Sequence, residues 1–380
     1  MMMSFPKQIL MALSLLSVVS VLILTMFYLN IGPSVQPNGC IAAEALSGFN
    51  STLYSLENPR WRSELQIEQQ VKVAIPFYNN PNYTSYPLNI DMRKFVRNHR
   101  EGSQYTTPKM INVYPYMFIT KPEVTCTNST KLLFVIKSAP KNKRARQAIR
   151  DTWANEESVF GIKRVFVLGR TKVYHNDVEQ EIKTHKDILL IDYEDSYYMN
   201  TWKLRGALIW AGNSCTECDY VMLVDDDYYV ATDLLLQQLE MTGNSNESLY
   251  MGWVNPRSFP FRSKSSKWYI SSTDYPYDIY PPFVSAGSIV MSINFVRDFM
   301  FASQFTKHIV FDDVFLAIVA NKMGVVPVNN KLFYTGKVEY WNRQFWNTLT
   351  AHGYSRPADL RNAWKCHILL KNNGLNTVFK

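Results

Sequence analysis

The chain has 380 residues, a formal net charge of +8 and a hydrophobic fraction of 47%, with 14% aromatics. That apolar content supports a sizeable core and excludes global disorder, and the length suits one large domain or two modest ones. The positive charge fits nucleic acid, an anionic membrane face or a phosphate-bearing substrate, and only its location along the chain chooses among them.

The first 30 residues supply that location. Ile9–Leu29 is a run of 21 residues without a charged side chain, about what a bilayer-spanning helix needs. A cleaved signal peptide has an apolar region of only ~7–15 residues and ends in a small-residue cleavage pattern, which "NIGPSVQPNG" lacks. Lys7 precedes the run and no positive charge follows until Arg60, so the positive-inside bias puts the N-terminus in the cytosol and the remainder in a lumen. The expected organisation is a cytosolic tail (1–8), a transmembrane signal anchor (9–29), a lumenal stem (30–125) and a catalytic domain (126–380). A lumenal basic surface argues against nucleic acid as a partner.

Lumenal exposure gives meaning to four Asn-x-Ser/Thr acceptors, at Asn50, Asn82, Asn128 and Asn246. Five cysteines, Cys40, Cys126, Cys215, Cys218 and Cys366, leave at least one unpaired within a monomer. Cys40 is free or joins two chains, which allows a homodimer through the stem. Cys215 and Cys218 form a lone C-x-x-C with no second half-site for zinc, so a structural disulfide through either one is the simpler reading.

Residues 30–125 are rich in Asn, Pro, Ser, Tyr and Gln, as in "YNNPNYTSYPLN", with one short helix expected near Trp61–Val73. From Lys131 onward strand and helix patterns alternate. "KLLFVIKS" (131–138), "KRVFVLG" (163–169), "DILLIDY" (187–193) and "DYVMLV" (219–224) read as strands. Helices are expected over Asn142–Trp153, Asn176–Lys186 and Tyr197–Asn213. "SLYMGWV" and "FVSAGSIVMS" are strand-like, and Asp312–Met323 reads as a helix ended by Gly324. This alternation predicts an α/β domain with a mainly parallel central sheet covered on both faces.

Ligands of such sheets bind outside the carboxyl ends of the strands, where "YVMLVDDDYYV" places Asp225, Asp226 and Asp227. In an extended chain Asp225 and Asp227 share one side, a pairing that suits Mg²⁺ or Mn²⁺ with phosphate oxygens; solvated acids at a strand end are the alternative. Arg146 and Arg150, at i and i+4, share a helix face and suit either a pyrophosphate or solvent. Asp312 and Asp313 open a helix, where one acid can cap and the other act as a base. His352 is a lone histidine, open to packing or to metal.

Taken in order, "RQAIRDTWA", "RVFVLG", "YEDSYYMNTWKL", "YVMLVDDDYYV", "KWYIS…YPYDIYPPFVSAG", "DDVFLA" and "AHGYS" resemble the β-1,3-glycosyltransferases, glycosyltransferase family 31 with its galactosyltransferase domain. The resemblance runs from about Ser138 to Trp364. It implies a GT-A-type nucleotide-sugar-binding fold in a single-pass type II Golgi membrane protein. The implied reaction is an inverting β-1,3 transfer of a hexose, galactose first and N-acetylglucosamine next, from a UDP-sugar to a glycan hydroxyl on glycoprotein or glycolipid. The family typically holds Mn²⁺. By matching positions, Asp227, Asp225 and His352 are implied metal ligands, and Arg146, Arg150, Asp225 and Asp226 implied contacts to the nucleotide sugar. Asp313 is the implied catalytic base, with Lys267, Trp268 and Asp312 lining the sugar or acceptor cleft. Leu223 and Val224 stand where the family pattern has Lys and Thr, which motivates one alternative, an impaired relative that binds glycans or escorts another transferase. Acids at a strand end also serve phosphate chemistry, which gives a second, a metal-dependent phosphohydrolase.

Overall fold

The computed structural model describes residues 86–242 and 247–372. The chain enters through a helix, α1 (Met92–Arg100), and a short strand, β1 (Phe118–Thr120). It then alternates strictly through β2 (Leu132–Lys137), α2 (Lys143–Arg150), β3 (Ile162–Arg170), α3 (His175–His185), β4 (Ile188–Glu194), α4 (Asn200–Ser214) and β5 (Tyr220–Asp225). A turn leads into β6 (Tyr228–Val230), α5 (Thr232–Thr242), β7 (Tyr250–Asn255), β8 (Phe283–Ser292) and α6 (Ile293–Ala302). The remaining elements are α7 (Asp312–Met323), β9 (Val328–Asn329), β10 (Phe333–Tyr334), β11 (Thr350–His352) and α8 (Pro357–Asn372).

Eight strands form one sheet in the order β1-β4-β3-β2-β5-β8-β7-β9. The centre is parallel, as the βαβ pattern requires. The sheet as a whole is mixed rather than mainly parallel, because β1 joins β4 antiparallel and β8 lies antiparallel between β5 and β7. Residues 256–282 join β7 to β8 without an α-helix, whereas a parallel connection would need a crossover. β2 and β5 lie in register, with Lys137 opposite Asp225 at their carboxyl ends.

Alternating side chains feed two cores. Leu133, Val135, Val165, Val167, Val221 and Leu223 pack with α1, α4, α6 and α7. On the other face Phe134 meets Trp153 at 5.1 Å, and the Arg150 guanidinium of α2 lies 4.6 Å from the Phe166 ring. The sheet is therefore covered on both faces, which explains why its central strands read as unbroken apolar runs. Gly324 ends α7 with φ +77°, and a Cβ there would stand 2.3 Å from the Arg93 side chain. Backbone conformation and close approach both call for glycine at that position.

The expected stem boundary at residue 125 lies too late. Met92, Phe95 and Val96 of α1 recur at helical spacing and are buried, with the Phe95 ring tilted 4.8 Å from Phe301 and edge-on 4.9 Å from Phe305. This segment escapes a composition reading because its three apolar residues sit among six polar or charged ones. Cys126, just after it, is disulfide-bonded to Cys215 at the end of α4, while Cys218 keeps a buried thiol. Asn128 is exposed in the turn before β2; Asn50, Asn82 and Asn246 lie outside the described residues. So do Ile9–Leu29 and the helix expected near Trp61–Val73, and among the described residues no helix is long and apolar enough to cross a membrane.

Candidate active site

Two clefts open at the carboxyl ends of the central strands. The larger, about 600 Å³, is walled by Trp268, Tyr280, Asp312, Asp313 and His352 among others. The smaller, about 500 Å³, is bounded by the Ser138–Asn142 turn, Lys203 and all three of Asp225, Asp226 and Asp227. Tyr197, Asn200 and Asp225 line both, so the clefts meet at the first aspartate.

The three aspartates do not alternate as an extended chain would have them. β5 ends at Asp225 and the chain turns, which sends each carboxylate to a different set of partners. Asp225 accepts from the Lys137 ammonium at 3.0 Å. Asp226 is buried and accepts from the Ser138 hydroxyl and, at 2.9 Å, from the Asn142 amide; burial nonetheless raises its pKa above the ordinary carboxylate value. Asp227 lies 3.0 Å from His352 Nε2. Among the described residues no three His, Cys, Asp or Glu side chains gather as a metal-holding group. Of the expected trio Asp225, Asp227 and His352, Asp227 and His352 touch each other, while Asp225 is paired with Lys137.

Asp312 and Asp313 open α7, at the wall of the larger cleft. Asp312 receives the same Lys137 ammonium at 2.6 Å. Asp313 accepts from the Val314 amide at 2.8 Å and from the Ala286 amide of β8 at 3.2 Å. Burial, and then the charge of Asp312, push its carboxyl up to about 6. A carboxyl poised there is a carboxylate at neutral pH yet remains a useful proton acceptor. The opposite wall is aromatic: the Lys267 ammonium lies 4.6 Å from the Tyr197 ring centre and 5.4 Å from that of Trp268. Tyr228 also lines the larger cleft, its ring filling the space where a Cβ on Gly287 would stand.

Arg146 and Arg150 are the clear corrections. Arg146 is 0% exposed, and its guanidinium is consumed by Glu181, the Ser138 hydroxyl and the carbonyls of Ala139 and Pro140. Arg150 is buried against Glu181 and Asp187. Neither lines a cleft. Arg146 reaches the smaller cleft only through the Ser138–Pro140 turn, whose Ser138 hydroxyl it orients toward Asp226. The i, i+4 spacing was right about a shared face but could not tell a phosphate from two acids of the neighbouring α3–β4 unit.

Residues that sequence reading passes over include Lys137, Ser138 and Asn142. Lys203 belongs with them, its ammonium bound to Asp195 at 2.9 Å and to the Ser138 carbonyl at 2.8 Å. Lys137 did carry a signal: a charged residue closing an otherwise apolar strand that is buried throughout.

The family described as galactosyltransferase matches residues 144–331. The chain is 35% identical over 247 residues to the β-1,3-galactosyltransferase brn of Drosophila melanogaster, covering 64% of this chain and 76% of that one. It is 33% identical over 264 residues to lactosylceramide 1,3-N-acetyl-β-D-glucosaminyltransferase B of Xenopus laevis, covering 66% and 70%. The chain belongs to the galactosyltransferase family. It is a glycosyltransferase. A further relative, the β-1,3-galactosyltransferase bre-5 of Caenorhabditis elegans, is 35% identical over 239 residues, covering 59% of this chain and 71% of its own. The matched span contains β3 to β8, both aspartate clusters and the aromatic wall. Leu223 and Val224, which depart from the family pattern, are 1% and 0% exposed and pack into the core rather than into either cleft.

Proposed function

We propose that the chain is an inverting β-1,3-hexosyltransferase that moves galactose, or next N-acetylglucosamine, from a UDP-sugar to a hydroxyl of a glycan on glycoprotein or glycolipid. One observation carries the reading. A half-buried carboxyl pushed up to about 6, Asp313, stands in the cleft that meets the acid-lined cleft at Asp225. The acid-lined chamber suits a diphosphate sugar and the larger one, which holds the base, suits a glycan.

In this reading Asp313 accepts the proton of the acceptor hydroxyl as its oxygen attacks the anomeric carbon. The new glycosidic bond forms on the face opposite the departing UDP, so the anomeric centre inverts. The amides of Ala286 and Val314 hold the carboxylate in orientation. Asp226, fixed by Ser138 and Asn142, and Lys203 shape the nucleotide side. Lys267 and Trp268 present a charged and an aromatic surface to sugar rings.

The pair Asp227–His352 fits a divalent cation of the Mn²⁺ type: one carboxylate oxygen and one imidazole nitrogen, open to a cleft where phosphate oxygens and water complete the shell. Such an ion supplies charge neutralisation for the leaving diphosphate. The run Ile9–Leu29 supports a single-pass type II protein of the Golgi membrane with this domain in the lumen.

The deciding experiment is turnover of UDP-galactose and UDP-N-acetylglucosamine with Mn²⁺ over a panel of β-linked galactosides and N-acetylglucosaminides. Linkage analysis giving a β-1,3 product is the expected result. No transfer, no donor hydrolysis and no UDP binding would sink the proposal.

A further inference from the structure

We propose that Lys137 is a positioning residue for this transfer, a single buried ammonium that clamps Asp225 at the junction of the clefts to Asp312 beside the base. The inference rests on the glycosyl-transfer reading of Asp313.

The geometry is built from the strand register. β2 and β5 run parallel and end together, with Lys137 and Asp225 as direct partners, so both side chains emerge on one face. α7 arrives from the far end of the chain with Asp312 in its first turn. The Lys137 ammonium then lies 3.0 Å from Asp225 and 2.6 Å from Asp312, with only 4% of the side chain exposed. No other cation is paired to either carboxylate among the described residues. Burial favours the neutral amine, but the two carboxylates outweigh it and hold the ammonium protonated well above the ordinary lysine range. A buried cation between two acids is costly to remove, because both acids are left uncompensated.

The clamp acts on Asp313 in two ways. It fixes the first turn of α7 against the sheet, and with it the direction of the Asp313 carboxyl. It also offsets the charge of Asp312, the neighbour that raises the proton affinity of Asp313. The groups facing Asp313 are Asp312, Lys137, the amides of Ala286 and Val314, and the phenols of Tyr197 and Tyr280, which both feel its charge. Lys137 is the one cation in that set.

The test compares full-length wild type, Lys137→Met, Lys137→Arg and Asp312→Asn. Each is assayed from pH 5 to 9 with UDP-galactose and benzyl N-acetylglucosaminide, and with UDP-N-acetylglucosamine and lactose. K137M is expected to lose about fivefold more kcat/KM at pH 6 than at pH 8.5, as the acid limb moves up by about one unit. K137R restores the profile. D312N moves the limb the other way, below about 6, and carries the test by itself if K137M does not fold. An active wild type whose limb stays put in both K137M and D312N, with losses equal at every pH, overturns the clamp alone. A wild type inert with both substrate pairs counts against the transfer reading and the clamp together.

Discussion

Nε2 of His352 lies 3.0 Å from a carboxylate oxygen of Asp227, brought there by the antiparallel pairing of β11 with β6 that sets His352 opposite Tyr228. Residues 125 positions apart thus meet, Asp227 lining the acid-lined cleft and His352 the larger one. If this pair holds the cation, Mn²⁺ is expected to tighten UDP binding in calorimetry, and chelation with EDTA to reverse it. His352→Ala is expected to weaken the Mn²⁺-dependent part about 10–100-fold, the range typical of lost metal-site groups. UDP affinity measured without metal should change little. Equal weakening with and without Mn²⁺ would point to direct nucleotide contact instead.

Asp313→Asn is expected to lower kcat about 10²–10⁴-fold with UDP affinity retained. Wild-type activity should fall as pH drops through about 6, because protonation removes the base. The sign for stability is the reverse. A carboxyl whose folded pKa is raised binds more protons folded than unfolded, so it costs stability increasingly as pH rises from about 4 to 6. Removing that buried charge should stabilise the domain by about 2–3 kcal/mol at pH 7, read as a higher melting temperature. Lower activity with a lower melting temperature would instead make Asp313 a structural cap.

The strands from β2 to β5 were legible because burial on both faces writes itself as unbroken apolar runs, and α7 because acids open it and Gly324 closes it. The place of the aspartates at a strand end, beside a cleft, was legible too. Their partners were not. Lys137, Asp312 and His352 come from three distant segments, and only strand register and helix docking bring them together. The arginines failed for a related reason: helical spacing fixes a shared face, while the identity of what meets that face depends on α3 and β4. The α1 segment was missed because three apolar residues bury it, too few to colour the composition around them.

Glu181 is the keystone of the buried cluster that captured those arginines. It meets Arg146 at 2.6 Å and Arg150 at 2.8 Å, with its side chain fully buried. Burial pushes its carboxyl up, but the two guanidinium groups outweigh that and hold it below the usual range. Its contribution is therefore present above the unfolded carboxylate pKa and fades as pH falls through the lower folded value. Glu181→Gln leaves buried guanidinium charge uncompensated and should cost about 3–5 kcal/mol. Urea denaturation at pH 7 measures it. UDP affinity of the folded variant should stay within about twofold, since neither arginine lines a cleft. A large loss of UDP affinity without loss of stability would restore the arginines as nucleotide contacts.

The Cys126–Cys215 disulfide closes a loop with a sequence separation of 89, tying the segment before β2 to the end of α4. On chain-entropy grounds such a loop contributes about 4.6 kcal/mol, by restricting the unfolded ensemble. Cys126→Ser should therefore lower the denaturation midpoint under oxidising conditions, with little change in activity of the folded fraction, because the bridge lies at the end of the strands opposite the clefts. Cys218 reports on the same region. Its thiol is buried and pushed up to about 12 by that burial, so almost none is thiolate at pH 8. Iodoacetamide at pH 8 should leave Cys218 unmodified in the native protein, and peptide mass mapping should find it labelled only after denaturation. Rapid native labelling of Cys218 would mean that this corner of α4 opens far below the global unfolding free energy.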